Sequence, residues 1–143
     1  MTQEEKELLR RDLCARLPYN VICQVEFKEY GKYKSEIMLL SGIFTDEAYF
    51  TTKDGSIYSN EYKPYLFPLS SMTEEEKEEL KQEHIKDEKL YIECLTMAAK
   101  GDSSMRGKVI IHYAMDWCNK NHFDYRGLIE KGLAIDATGL NIY

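Results

Sequence analysis

Near the start of the chain, Leu9, Leu13 and Leu17 recur every four positions, with Leu8 and Cys14 beside them. That is the apolar stripe of one helix, which Pro18 stops. Thr2 and Glu5 stand at capping-box spacing before it, so each side chain can satisfy an orphan N–H of the first turn. From Val21 the period changes to two: Val21, Cys23, Val25 and Phe27 alternate with Ile22, Gln24 and Glu26, as a strand with one buried face requires. Residues 36–44, 48–52 and 56–62 predict further strands, with Asp54-Gly55 as a hairpin signal between the last two. Tyr65-Leu66-Phe67, bounded by Pro64 and Pro68, predicts a short fifth strand, since proline is tolerated at strand ends or edges.

Beyond Met72 the pattern is helical. Thr73 and Glu76 repeat the capping-box spacing, and the following stretch is charged to Lys89 before Leu90, Tyr91, Cys94, Leu95 and Ala98 form an apolar side ending near Gly101. Val109 to Cys118 is apolar almost all round, broken by the stripe Lys108, His112, Asp116 and Asn119. Such a helix is buried on most of its circumference and places Trp117 in a core. Asp124 can cap a final short helix carrying Leu128 and Ile129, with Gly132 at its end.

The expected architecture is therefore α+β. An N-terminal helix and a small five-stranded antiparallel SH3-like barrel or bent sheet occupy residues 1–72, and a bundle of helices over 73–143 packs on them as one compact domain.

Composition adds little to this and removes several classes. At 143 residues, with 43% hydrophobic and 31% charged, the chain is long enough for one core and is not of disordered composition. No leader-like apolar segment follows the charged first residues, and no apolar run reaches membrane-spanning length, so a bacterial cytoplasmic location is expected and no membrane partner. The net charge of −6 is concentrated between Glu74 and Lys89, read as a solvated helix rather than a phosphate mimic. No basic cluster larger than Arg10-Arg11 with Arg16 stands out, which disfavours duplex nucleic acid. Cys14, Cys23, Cys94 and Cys118 form no CxxC pair and are expected as reduced core thiols.

Three constellations could carry chemistry. His112 and Asp116, one helical turn apart, could be an acid–base pair or two metal ligands completed by His122 or Asp124, but a histidine satisfied by a carboxylate explains them as well. No cofactor or metal is therefore expected. His122-Phe123-Asp124-Tyr125-Arg126 could bind an anion, although Asp124 as a cap would occupy that position. Tyr49, Tyr58, Tyr62 and Tyr65 could anchor a protein partner, stack on bases, or simply pack.

The runs Asp12-Leu13-Cys14-Ala15-Arg16-Leu17-Pro18-Tyr19 and Lys63-Pro64-Tyr65-Leu66-Phe67-Pro68-Leu69-Ser70-Ser71-Met72-Thr73 resemble small proteins encoded by phages and prophages of gut bacteria. The C-terminal Asp116-Trp117-Cys118-Asn119 and His122-Phe123-Asp124-Tyr125-Arg126-Gly127-Leu128-Ile129 share that resemblance. No activity is attached to that family, so the resemblance implies a setting and no site residues. The expectation is a non-enzymatic phage or prophage accessory protein binding a host or phage protein through Tyr58, Tyr62, Tyr65, His122, Tyr125 and Arg126. A single-stranded nucleic-acid binder is the first alternative and a small metal-dependent enzyme using His112 and Asp116 the second. Self-association is compatible with each.

Overall fold

The computed structural model describes residues 1–44, 47–80 and 108–143, the side chains of 108–113 excepted. The first helix, α1 (Gln3–Arg16), begins as the spacing requires: Thr2 Oγ1 accepts the Glu5 N–H at 3.1 Å, and Glu5 returns a carboxylate to the Thr2 N–H at 2.6 Å. Its buried face differs from the leucine stripe. Leu9 and Leu13 are buried, but so are Asp12 and Arg16, while Leu8 and Leu17 are half-buried and Cys14 is exposed. Cys14 is thus not a core thiol. Cys23 and Cys118 are buried and free, and Cys94 lies outside the described residues.

Five strands follow: β1 (Ile22–Glu29), β2 (Lys32–Ile43), β3 (Ala48–Thr52), β4 (Gly55–Ser59) and β5 (Glu61–Pro68). The β1–β2 hairpin runs on past the expected strand ends to the pair Glu29 and Lys32. It closes on Tyr30 (φ 48°) and Gly31 (φ 78°), the two left-handed positions of a type I′ turn. The expected strand over 56–62 is broken at its corner. There the Ser59 hydroxyl donates to the Glu26 carbonyl at 2.7 Å and accepts the Glu61 N–H at 3.0 Å.

β5 pairs with β1 over residues 61–64 and with later segments of the chain at 65–66 and 67–68, so its prolines stand where one side is unpaired or the strand ends, as expected. The Leu40 N–H bonds the Val21 carbonyl, and alternation along the β1–β2 ladder then turns the backbone groups of Cys23 toward Met38. Cys23 opposite Pro64 is consequently a pair that exchanges no hydrogen bonds, and Pro64 sits where its missing N–H is not needed.

Two short strands from the far end of the chain, β6 (Phe123–Asp124) and β7 (Ile135–Asp136), pair with β5 in parallel. The Phe67 N–H donates to the His122 carbonyl and the Leu66 carbonyl accepts the Ala137 N–H. One trans peptide directs these groups oppositely, so β6 and β7 flank β5 on its two sides. The sheet is mixed and open, with path β4-β3-β2-β1-β5-β6, and does not close into the expected barrel.

The C-terminal region is not the bundle that the pattern suggested among the described residues. It contains α2 (Glu74–Leu80), capped by Thr73 and Glu76, and α3 (Lys108–Lys120). The predicted amphipathic stretch around Leu90 to Ala98 falls outside the described residues. Asp124 caps no helix: its two oxygens accept the N–H groups of Leu128 (2.9 Å) and Ile129 (2.8 Å) across a turn. Gly127 there adopts φ 71°, which ends helical winding before it begins.

Two cores result. One lies between α1 and the sheet, with Leu9, Leu13, Val21, Val25, Leu40, Phe50, Leu66 and Leu128. The other gathers Met72, Leu80, Ala114, Trp117, Cys118, Phe123 and Tyr125, and Trp117 is buried as expected, stacked on Phe123 at 5.5 Å. No helix among the described residues is long and apolar enough to cross a membrane.

Candidate functional site

Asp12 and Arg16 lie one turn apart on α1 and are both fully buried. Arg16 donates from Nε to Asp12 Oδ2 at 2.6 Å and from Nη2 to Oδ1 at 3.1 Å. Nη2 also donates to the Phe123 carbonyl at 2.7 Å, and Nη1 donates to the Cys118 carbonyl at 3.3 Å. Arg126 Nε joins from the other side, 3.1 Å from Asp12 Oδ1, and both guanidiniums lie over the Tyr125 ring. Burial opposes the charge on Arg16, the Asp12 carboxylate more than offsets it, and the guanidinium pKa is raised. This cluster joins α1 to α3 and β6. Every donor in it that bonds is turned to a fixed protein acceptor, so it fastens the fold.

His122 follows α3 at φ 61°, stacks on Tyr143 at a centroid distance of 3.7 Å and is buried. Burial, with Arg16 adding repulsion, lowers its pKa to about 4. Its Nδ1 is a buried atom with no hydrogen-bond partner among the described residues. The Tyr143 hydroxyl meanwhile donates to the Tyr65 carbonyl at 2.8 Å and accepts the Ile22 N–H at 3.2 Å, wedged where β1 and β5 part. A cleft of about 400 Å³ adjoins them, lined by Phe67, Ser71, Lys120, His122 and Thr138. A neutral imidazole so deeply shifted is not poised for proton transfer near pH 7.

The outer face of the sheet is different. Tyr58 is 57% exposed and Phe44 equally so, their rings 6.0 Å apart, and Tyr49 packs on Tyr58 at 5.1 Å. Ile37 and Leu39, also exposed, continue this surface along β2, and Thr51, directly opposite Leu39, connects it to Tyr49. Around the corner a groove of about 590 Å³ runs between α1 and the sheet, lined by Lys6, Arg10, Ile43, Phe44, Glu61 and Tyr62.

The residues expected to form one binding surface are therefore dispersed. Tyr58 is on the outer face, and Tyr62 is half-buried, packed on Phe50 and lining the groove. Tyr65, His122 and Tyr125 are buried, and Arg126 is engaged with Asp12 and with the Tyr125 hydroxyl. Asp116 accepts the Tyr19 hydroxyl at 2.5 Å, and the His112 side chain is outside the described set. No group of three metal-ligating side chains occurs among the described residues.

Sequence reasoning missed Phe44, Ile37 and Leu39, whose outward direction follows from the period-two pattern once the β2 register is known. It also missed Lys28, Lys32 and Lys34 around the Tyr30-Gly31 turn, a spacing of lysines visible in the sequence. No known family model, curated protein or solved structure matches the chain.

Proposed function

We propose that the chain is a protein-interaction module that uses no chemistry of its own and acts on a host or phage protein in the phage or prophage setting its resemblance implies. The observation that carries this reading is the ring cluster of Phe44, Tyr49 and Tyr58 on the open sheet's outer face, with Ile37 and Leu39 exposed farther along β2. Two of these are tyrosines, whose large rigid rings with a polar tip suit an interface. A buried sheet face needs apolar side chains; an exposed one does not, so their grouping is what a partner would cover.

The test is affinity capture from infected host cells with identification of what is retained. Tyr58→Ala and Phe44→Ala change exposed side chains and should alter stability by less than about 0.5 kcal/mol. Each should weaken capture by roughly 30-fold if its ring is an anchor. Capture unchanged by both variants, with the fold intact by circular dichroism, would remove the outer face as the docking surface.

A further inference from the structure

The β1–β2 hairpin outreaches the rest of the sheet. β5 pairs with β1 only as far as Glu26, and β3 pairs with β2 only from Leu39. Phe27 to Lys34 therefore forms a two-stranded arm with no third strand among the described residues. Its tip carries Tyr30, 98% exposed, and Tyr33, 73% exposed. Lys28, Lys32 and Lys34 surround them, while Glu29 pairs with Lys34 and Glu36 also acts on it from farther along β2. Lys28 Nζ lies 4.6 Å from the centre of the Tyr33 ring.

Beyond the Lys34–Glu29 pair and the Lys28–Tyr33 contact, the structure records no use of these side chains by the fold. A type I′ turn favours Asn-Gly, because a non-glycine residue at positive φ is disfavoured and asparagine tolerates it best. Tyr30 accepts that conformation and buries nothing in return. Lysines on an unpaired edge do deter strand pairing. That leaves the two exposed rings unexplained.

Electrostatics separates the arm from the body. The tip holds a local excess of positive charge in a chain of net −6. Three residues of strand beyond Glu26 extend about 10 Å, and the screening length at physiological salt is about 8 Å. An anion at the tip thus meets the lysines first, with Glu29, Glu26 and Glu36 the nearest acids along β1 and β2 and the rest of the acidic body beyond the screening length.

We propose that this arm binds single-stranded nucleic acid, Tyr30 and Tyr33 stacking on unpaired bases while Lys28, Lys32 and Lys34 neutralise phosphates. Bases are required because charge alone would leave the rings without a partner, and unpaired strands are favoured because a duplex hides its base faces. Tyr33 shares its face of β2 with Ile37 and Leu39, but Tyr30→Asn at the turn leaves Phe44, Tyr49 and Tyr58 in place, so each reading can fail without the other.

The experiment is fluorescence anisotropy of a short labelled oligothymidylate titrated with the full chain over a range of salt. Three phosphate contacts predict a slope of log K against log salt near −2, and Lys32→Gln should reduce its magnitude by about 0.7. Tyr30→Asn installs the residue the turn prefers, so the fold is kept while the ring is lost. It should weaken binding roughly fivefold or more. Polyglutamate of matching charge should compete poorly. The proposal is overturned if the oligonucleotide is not retained at low salt, if Tyr30→Asn binds as the parent does, or if polyglutamate competes equally, which would point to an acidic protein instead.

Discussion

Beneath α1 the sheet buries a face made almost wholly of aliphatic side chains, whereas around Trp117 the interior combines aromatic rings with buried charge. In the first region the binding force is burial of apolar area, which any well-packed hydrophobic set can supply. In the second, Asp12, Arg16 and Arg126 must meet with their hydrogen bonds complete, since a buried charge without its partner costs several kcal/mol. The first region thus tolerates substitution of kind, and the second specifies geometry. The two meet on α1, where Leu9 and Leu13 face one core while Asp12 and Arg16 engage the other.

The contrast breaks hardest at Asp12. Asp12→Ala leaves Arg16 buried and uncompensated and should cost about 3–5 kcal/mol, measured as a shift in the urea midpoint. Leu66→Ala, in the aliphatic core, should cost about 2–5 kcal/mol by cavity formation alone. It removes no charge, and a cost for Asp12→Ala no larger than this cavity cost would erase the distinction.

A smaller effect sharpens it further. Free imidazole titrates near 6.5 and His122 near 4, so between those values the unfolded chain binds more protons than the folded one. Stability therefore falls as pH drops from about 6.5 toward 4, by at most about 2 kcal/mol between pH 6.5 and 5. His122→Asn keeps a residue that tolerates positive φ and removes the titration. Urea midpoints at pH 7 and 5 should converge in this variant relative to the parent, and an unchanged gap would show that His122 does not carry the dependence.

What the sequence disclosed follows the same division. Both capping boxes and the alternation Val21, Cys23, Val25 were legible because their partners lie within a few residues. The Asp12–Arg16 pair has helical spacing, but its burial depends on Phe123 and Arg126, more than a hundred positions away, which no local pattern contains. Asp124 was recognisable as a cap for N–H groups, yet Gly127 at positive φ turned the expected helix into a turn. The arm was hidden for a different reason: Tyr30 is no turn residue by type, so the strands were ended too early and the lysines fell into an apparent loop. Pro64 and Pro68 marked the strand rightly, since one is paired on one side only and the other ends it. Of the residues expected to meet a partner, Tyr58 is exposed, Tyr62 and Arg126 are half-buried, and Tyr65, His122 and Tyr125 are buried, a distinction residue type does not carry.

The reach of Arg16 also sets an order of events during synthesis. Its acceptors at Cys118 and Phe123 are made 102 and 107 residues later. At ribosomal rates of about 5–20 residues per second, that is a delay of roughly 5–20 s. α1 is thus completed well after it is made. Until then α1 can hold its leucines against the nascent sheet but cannot seal its charged face, so that face remains hydrated and open to other contacts. Docking of the last quarter of the chain is the step that dehydrates it, and the arrival of Phe123 is what turns a partly assembled sheet into a finished one.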